Sequence, residues 1–478
     1  MKNFVNVIRF FALAAVILFS IAACGDDAGS EGNAADADPL LEGSWYSIIW
    51  KETYTFNPGA KTYTLIKDSG SGEKGAFTTA SATFICTATH ITADGINWIP
   101  SGSQSEKTKA YNFSGNTLFI NGQEYTKTNS GTDPGTDPGD IPGTPPVGIV
   151  SPYHNVNWNT YGQYKAGMHV HTSRSDDSQA LFSDMIEHHY ANGYDIMAIT
   201  DHNVINRDWT SGENALTETR YNEIITGADR GDKGMLRIPY TDEQSMGDHV
   251  LTFFADFNNP AFSTLRSNIQ KAEELGGLSH INHPGRYTSD RGDRESDIKR
   301  YSDILMEFPS CLGIEVMNMN DRHPNDRILW DNVLKVTMRR GYNAWCFAND
   351  DAHSTSMVGN SFNMIIMPEN NLDNFRSALI NGNFYAVGRV AKTELGQSFS
   401  ASGPAPRITN IVVNNTELSI TISAENHTKI VWIANGTEIA EGGTLAIGDH
   451  EGVITYYVRA NIIGPGGIAF TQPFAITY

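Results

Sequence analysis

The stretch of sequence that decides the fold is residues 166–203, which read AGMHVHTSRSDDSQALFSDMIEHHYANGYDIMAITDHN. Residues 166–172 and 196–200 are short apolar runs, which are typical of buried strands. Between them, the apolar spacing of residues 179–192 predicts a helix, and Gly193 supplies its stop signal. The order strand, helix, strand is the repeating unit of an α/β fold, and both predicted strands have histidine at or just beyond their ends.

The same alternation continues through residues 150–398. Further strands are predicted at 235–241, 249–255, 278–282, 312–318 and 344–348, and further helices at 264–275 and 326–339. Such repeated alternation predicts a parallel α/β sheet, either open or closed into a barrel. In both arrangements the active site lies at the ends of the strands.

Residues of metal-binding type gather at these strand ends. The chain has 14 histidines, and ten of them fall between His169 and His353. His169 and His171 stand two residues apart on one strand, so both side chains point to the same face. The other candidates are Asp176, His202, Glu243, His249, His283, Asp351 and His353. This is the arrangement that a metal-dependent hydrolase requires.

Several short motifs resemble those of one known superfamily. They are MHVHT at 168–172, SD at 175–176, AITDHN at 198–203, HP at 283–284 and DDAH at 350–353. In combination they resemble the PHP (polymerase and histidinol phosphatase) superfamily, and the closest type is the CehA/McbA-like metal-dependent phosphoesterases. The resemblance implies a distorted seven-stranded α/β barrel, similar to a TIM barrel, with up to three metal ions. It implies metal ligands at His169, His171, Asp176, His202, Glu243, His249, His283, Asp351 and His353.

This chain departs from the superfamily pattern at several positions. The superfamily usually has glycine after the Ser-Asp pair, whereas this chain has Asp177. Three further ligand positions have two candidates each, and these are Asp242 or Glu243, His280 or His283, and Asp350 or Asp351. Pro284 matches the His-Pro motif and therefore favours His283 over His280.

The charge balance constrains the substrate. The chain has 54 acidic and 34 basic residues, a formal charge of −20, so a broad nucleic-acid-binding surface is not expected. An anionic substrate needs a local positive centre, which two or three divalent transition metals (Zn, Mn or Fe) would supply. We therefore expect a phosphoesterase that uses a metal-bound hydroxide on a small phosphorylated substrate. Arg286 is the predicted catalytic residue, because it could clamp the phosphate. Glu315 is expected either to orient a ligand histidine or to pair with an arginine of the core.

Two other functions are consistent with the same sequence. A metal-dependent carboxyl-ester or carbamate hydrolase would keep the metals and would be favoured by an aromatic pocket lined by Trp209, Tyr287 or Trp330. A non-catalytic surface-binding lipoprotein would use its β domains and would be favoured by a broken set of metal ligands.

The N-terminus indicates export and lipid anchoring. Residues 1–23 resemble a lipoprotein signal peptide, with Lys2 and Arg9 ahead of the 14 apolar residues 10–23. Cys24 follows Ile-Ala-Ala, as in a bacterial lipobox, and is the predicted lipidation site. Residues 24–38 form an acidic tether. We expect an extracytoplasmic protein that is lipid-anchored to a bacterial membrane and faces the periplasm or the cell surface.

The central α/β region is flanked by two segments without helical periodicity. Residues 39–128 alternate like strands and predict a small β domain, which resembles a lipocalin-like domain at Gly43-Ser44-Trp45-Tyr46. Residues 129–149 are rich in Pro and Gly and predict a linker. The predicted metallohydrolase domain spans 150–398, and residues 399–478 predict a C-terminal β-sandwich.

Replacing Cys24 tests the predicted anchor. We expect Cys24→Ser to move the protein from the membrane fraction to the soluble extracytoplasmic fraction, because a 14-residue apolar segment that is cleaved off cannot hold the protein. The measurement is fractionation together with incorporation of labelled palmitate, with Cys86→Ser as the matched control. Unchanged fractionation and labelling of the Cys24 variant would show that this cysteine is not lipidated.

Overall fold

The computed structural model describes two compact units, which divide at residue 131. The described residues are 43–47, 52–57, 62–68, 77–86, 90–93, 108–114, 117–120, 123–128, 146–258 and 263–477. The predicted signal peptide, Cys24, the acidic tether and most of the linker at 129–149 lie outside them. Among the described residues, no helix combines the length and the apolar character needed to cross a membrane.

The described residues of the first unit form eight strands. They are β1 (Gly43–Ser47), β2 (Glu52–Asn57), β3 (Thr62–Asp68), β4 (Phe77–Cys86), β5 (His90–Ala93), β6 (Thr108–Ser114), β7 (Thr117–Ile120) and β8 (Gln123–Thr128). Each strand pairs with the next, and antiparallel pairing of β1 with β8 closes the barrel. The strands are rich in threonine, tyrosine and phenylalanine, which favour extended backbone.

The second unit mixes strands and helices. Its strands are β9 (Gly148–Val150), β10 (Gly162–Gly167), β11 (Ile196–Met197), β12 (Leu236–Arg237), β13 (Asp242–Gln244), β14 (Val250–Phe253), β15 (Leu278–Ile281), β16 (Cys311–Asn318), β17 (Trp345–Asn349), β18 (Ser361–Met367), β19 (Phe384–Gly388), β20 (Arg407–Asn414), β21 (Ser419–Glu425), β22 (Lys429–Ala434), β23 (Thr437–Glu441), β24 (Thr444–Ala446), β25 (Tyr457–Gly464), β26 (Gly467–Phe470) and β27 (Phe474–Thr477). Its α-helices are α1 (Phe182–Ala191), α2 (Glu218–Thr226), α3 (Leu265–Glu274), α4 (Gly285–Thr288), α5 (Glu295–Glu307), α6 (Asp326–Thr337) and α7 (Leu372–Asn381).

Local sequence accounts for the helix boundaries. The helix predicted at 264–275 is α3, whose start is fixed by a capping box between Thr264 and Ser267. The helix predicted at 179–192 begins later, at Phe182. The helix predicted at 326–339 ends at Thr337 and continues as one tighter turn, Met338–Arg340. The helix-period segments of the sequence are therefore helices in the structure, with shifts at their ends.

The strands form a mixed sheet arrangement and not the single parallel sheet expected from the sequence. β10, β11 and β12 are parallel, as are β15, β16 and β17, but β14 runs antiparallel to both of its neighbours, β13 and β15. Only five residues separate β13 from β14, which is too short for a parallel crossover. Within residues 146–477 the ladders do not close into a barrel. Isolated bridges at Val170–Ala352 and His202–Glu243 join the sheet that contains β10, β11 and β12 to the sheet that contains β13 to β17. The seven-stranded barrel therefore stays a prediction.

The C-terminal strands do not form a separate pair of sheets. β26 pairs with β19, so one eleven-stranded sheet runs from β12 through β11, β10, β18, β19, β26, β25 and β22 to β23, with β27 paired to β25 and β9 paired to β27. β20, β21 and β24 form a three-stranded sheet whose Ile408 and Ile420 share one core with Trp432 of β22. Backbone hydrogen bonding is thus continuous across the boundary predicted near residue 399. The sequence did not reveal this pairing, because strand partners that are distant in sequence leave no local signal.

A buried ion pair ties the C-terminal strands to the helical layer. Arg459 of β25 donates to both carboxylate oxygens of Asp331 of α6, at 2.8 and 2.7 Å. The Tyr457 hydroxyl donates to the same carboxylate at 2.9 Å. The two charged side chains are only 4% and 7% exposed. Removing one partner would leave the other charge buried and unpaired.

Replacing Asp331 tests this connection. We expect Asp331→Ala to lower the free energy of unfolding by about 3–5 kcal/mol, because it leaves the Arg459 guanidinium buried without its charge partner. Thermal and denaturant unfolding provide the measurement. The matched control is Glu425→Ala, which breaks an exposed pair with Arg407 and should cost about 0–1 kcal/mol. Equal small losses in both variants would show that the buried pair does not hold β25 to α6.

Candidate metal centre

The strands converge so that most of the predicted ligands meet. His169 and His171 follow β10, His202 follows β11, and Glu243 lies within β13. The remaining predicted ligands in the centre are His249 directly before β14, His283 after β15, and Asp351 and His353 after β17. Because β14 runs antiparallel to β15, the start of β14 and the end of β15 lie at the same sheet edge. This explains how a residue that precedes its strand joins residues that follow theirs.

The Glu243 carboxylate lies at the middle of the cluster. Both of its oxygens face imidazole nitrogens, and the partners are His169 Nε2 (3.2 Å), His249 Nδ1 (3.0 Å), His283 Nε2 (3.3 Å), His171 Nε2 (3.4 Å) and His202 Nε2 (2.7 Å). The residue is fully buried. Although burial raises the pKa of Glu243, the charges of His169 and His249 outweigh it and hold that pKa well below its ordinary value.

Asp351 is the second central carboxylate. Its Oδ1 lies 3.0 Å from His171 Nε2 and 3.3 Å from His169 Nε2, and its Oδ2 lies 3.9 Å from His283 Nε2. Asp351 adopts a positive φ of 47°, so a local backbone turn directs this side chain into the cluster. Burial raises the pKa of Asp351, but the neighbouring imidazoles outweigh it and lower that pKa well below its ordinary value.

A buried glutamate sets the orientation of His169. Glu315 of β16 accepts a hydrogen bond from His169 Nδ1 at 3.0 Å, so that nitrogen carries a proton. In the neutral ring, Nε2 then presents a lone pair towards Glu243 and Asp351. Burial lowers the pKa of His169, but Asp351, Glu243 and Glu315 outweigh it and raise that pKa well above its ordinary value. A lone pair facing two carboxylates requires a cation between them, either a proton or a metal ion.

The close polar atoms are not joined by aligned hydrogen bonds. His169 Nε2, His171 Nε2 and Asp351 Oδ1 are buried and have no hydrogen-bond partner of good geometry among the described residues. Five groups of three side chains bring one ligand atom each within 4.8 Å of the others. They are His169–His283–Asp351, His169–His171–Glu243, His171–Asp177–His202, His171–Asp351–His353 and His202–Glu243–His249. Mixed nitrogen and oxygen donors of this kind suit divalent transition metals.

The geometry distinguishes between the paired candidates. Asp350 accepts hydrogen bonds from the amides of Gly359, Asn360 and Ser361, so its carboxylate is engaged away from the cluster. Asp242 is buried beside Glu243 but joins none of the five groups. His280 also joins none of them, and its ring stacks on Phe347 at 4.2 Å. Burial lowers the pKa of His280 to about 4.

Asp176 and Arg286 lie at the edge of the centre. The Asp176 side chain is 91% exposed and joins none of the five groups, whereas its neighbour Asp177 joins one. Arg286 is exposed on α4, three residues beyond His283. Next to it, the Tyr287 ring lies 5.7 Å from the His249 ring and 6.0 Å from the His283 ring. The Arg286 guanidinium lies 5.9 Å from the Tyr287 ring, so this exposed cation is next to a residue that borders the cluster.

Three asparagines that were not predicted as site residues also stand at strand ends. The Asn282 side chain donates to Glu243 at 2.6 Å. Asn318 donates to Glu315 at 2.9 Å and to Asp351 at 3.2 Å, and Asn349 donates to Glu315 at 2.9 Å. Their common signal was available, since each stands at or directly after the end of an apolar strand. Such partners orient metal-binding side chains.

Comparisons with known proteins add two distant structural neighbours. A two-domain protein of Bacteroides vulgatus, described as containing a predicted PHP-like metal-dependent phosphoesterase, is 17% identical, with a TM-score of 0.39 over 68% of this chain and 88% of that one. An amidohydrolase of Chromobacterium violaceum is 14% identical, with a TM-score of 0.26 over 40% of this chain and 87% of that one. No family model matches the chain, and no curated protein matches it. At such low identity and TM-score the neighbours do not indicate a function for this chain. The functional conclusion therefore depends on the geometry of the centre.

Replacing Glu315 tests the orientation of the ligand histidines. We expect Glu315→Gln to weaken metal affinity by about 10–100-fold, because a neutral amide no longer favours the tautomer that exposes His169 Nε2. Competition with a chromophoric chelator measures the affinity. Glu417→Gln, on an exposed turn, is the control and should not change it. Equal affinities in both variants would show that Glu315 has no part in metal binding.

Proposed function

We propose that this chain is a metal-dependent hydrolase that holds two or three divalent transition ions (Zn, Mn or Fe) and acts on phosphoesters. The observation that carries the proposal is the buried cluster in which imidazole nitrogens face the carboxylates of Glu243 and Asp351 at 2.7–3.9 Å. Such an arrangement is unfavourable in a purely structural core, because the buried carboxylates face imidazole nitrogens that are not joined to them by aligned hydrogen bonds.

The formal charge of the ligand set supports an anionic substrate. Six neutral imidazoles and three carboxylates carry −3, and three divalent ions carry +6, which leaves +3 before solvent or substrate binds. That positive charge would be concentrated within a protein of net charge −20. A phosphate group would therefore be attracted to the centre in spite of the acidic character of the chain.

Each part of the site would have a distinct task in hydrolysis. Bound divalent ions would polarise the phosphoryl group and lower the pKa of a water molecule towards about 7. Glu315 would hold His169 in the tautomer that binds metal, and Arg286 would clamp phosphate oxygens. Cys311 and Cys346 are buried, and burial raises the pKa of both thiols to about 12, so neither is suited to act as a nucleophile.

The aromatic residues weigh against an aryl-ester hydrolase. Trp209 and Trp330 are fully buried in the core and do not line the centre. Tyr287 alone of the three candidate aromatics lies beside the ligand histidines.

We also propose that the protein acts outside the cytoplasm, anchored through lipidated Cys24. Its proposed substrate there is a small soluble phosphoester.

A substrate panel tests the proposed function. The metal-loaded protein is assayed against an aryl phosphate monoester, an aryl phosphodiester and an aryl carboxylate ester of the same phenol. We expect turnover of a phosphoester that is lost on chelation and restored by Zn²⁺ or Mn²⁺. His171→Gln should reduce turnover by at least ~100-fold, because it removes an interaction on which catalysis depends. The exposed His427→Gln should leave turnover unchanged. Turnover of the carboxylate ester alone would contradict phosphoesterase activity, and turnover that resists chelation would contradict metal dependence.

A further inference from the structure

The loop between Ser175 and Ser178 is fixed at both ends against the metal centre. The Ser175 hydroxyl accepts a hydrogen bond from the backbone amide of His202 at 3.0 Å and lies 3.2 Å from His171 Nδ1. The Ser178 hydroxyl donates to the backbone carbonyl of His353 at 2.9 Å. These contacts on either side of Asp176 and Asp177 determine which of the two carboxylates can face the ligand histidines.

Asp177 is the carboxylate that faces the histidines. Its Oδ2 lies 2.8 Å from His353 Nε2 and 3.8 Å from His202 Nδ1. Ligand atoms of Asp177, His171 and His202 all lie within 4.8 Å of one another. Asp176 reaches only His202 Nδ1, at 3.5 Å, and its side chain is 91% exposed, compared with 40% for Asp177.

The hydrogen bonding of His353 supplies a second, independent indication of a cation here. Its Nδ1 lies 2.8 Å from the backbone carbonyl of Asp351, which can only accept, so Nδ1 carries the proton. In the neutral ring, the lone pair of Nε2 then points at the Asp177 carboxylate. Two acceptors 2.8 Å apart repel each other unless a cation, either a proton or a metal ion, lies between them.

We propose that Asp177, and not Asp176, supplies the carboxylate ligand of an outer metal position formed with His171, His202 and His353. This inference rests on the proposed metal-dependent function and assigns one ligand within it. It departs from the superfamily pattern, in which the residue after the Ser-Asp pair is usually glycine and the preceding aspartate is the ligand. In this chain the extra carboxylate at 177 takes over that role, while Asp176 stays in solvent.

A matched pair of neighbouring isosteric variants tests the assignment. Asp176→Asn and Asp177→Asn are each loaded with Zn²⁺, passed through a gel-filtration column in metal-free buffer and analysed for bound zinc per chain. Asp177→Asn should retain about one ion fewer than the wild type, and its weakest Zn²⁺ site should lose at least ~10-fold in affinity by calorimetric titration. Asp176→Asn should match the wild type in both measurements. Both residues lie on the protein surface, so thermal unfolding of the metal-free variants should be unchanged and should exclude misfolding as the cause.

The alternative outcomes are distinct. Loss of zinc from Asp176→Asn but not from Asp177→Asn, equal loss in both, or loss in neither would each overturn the assignment. A wild type that binds zinc but hydrolyses no ester would contradict the proposed function and leave the assignment intact. A wild type that retains no metal would overturn both.

Discussion

The structure depends on one electrostatic constraint, which is that buried imidazole lone pairs and buried carboxylates face each other. His169 shows it most clearly, because Glu315 fixes the proton on Nδ1 and leaves Nε2 facing Glu243 and Asp351. Without a cation this contact is repulsive, and in a low-dielectric interior the repulsion is costly. Protons can relieve it, as the raised pKa of His169 indicates, but metal ions relieve it for all the imidazoles together.

The fold brings these groups together from widely separated parts of the chain. Loops after β10, β11, β15 and β17 supply most of the histidines, and the antiparallel β14 adds His249 at the same edge. β16 contributes no metal ligand of its own. Its Glu315 instead bonds to both His169 Nδ1 and the backbone amide of His283, so one buried carboxylate orients ligands from two strands. The hydrophobic layers behind the sheet therefore serve to hold a polar cluster that could not form in isolation.

The sequence predicted the location of the centre better than its details. Ligand types at strand ends were visible, because strand periodicity and histidine spacing are local features of the chain. The position of Asp177, rather than Asp176, beside the histidines was not visible, since it depends on hydrogen bonds that join Ser175 and Ser178 to segments distant in sequence. The antiparallel strands and the sheet shared with β26 were also missed, because strand partners far apart in sequence leave no periodic signal.

The most direct test of this account is the metal content of the intact protein, located by anomalous X-ray diffraction from crystals grown with Zn²⁺ or Mn²⁺. We expect two or three anomalous peaks per chain, with at least one between His169 Nε2 and the carboxylates of Glu243 and Asp351. Crystals that show no peak in this cluster, with the imidazoles bonded to the carboxylates through protons alone, would contradict it.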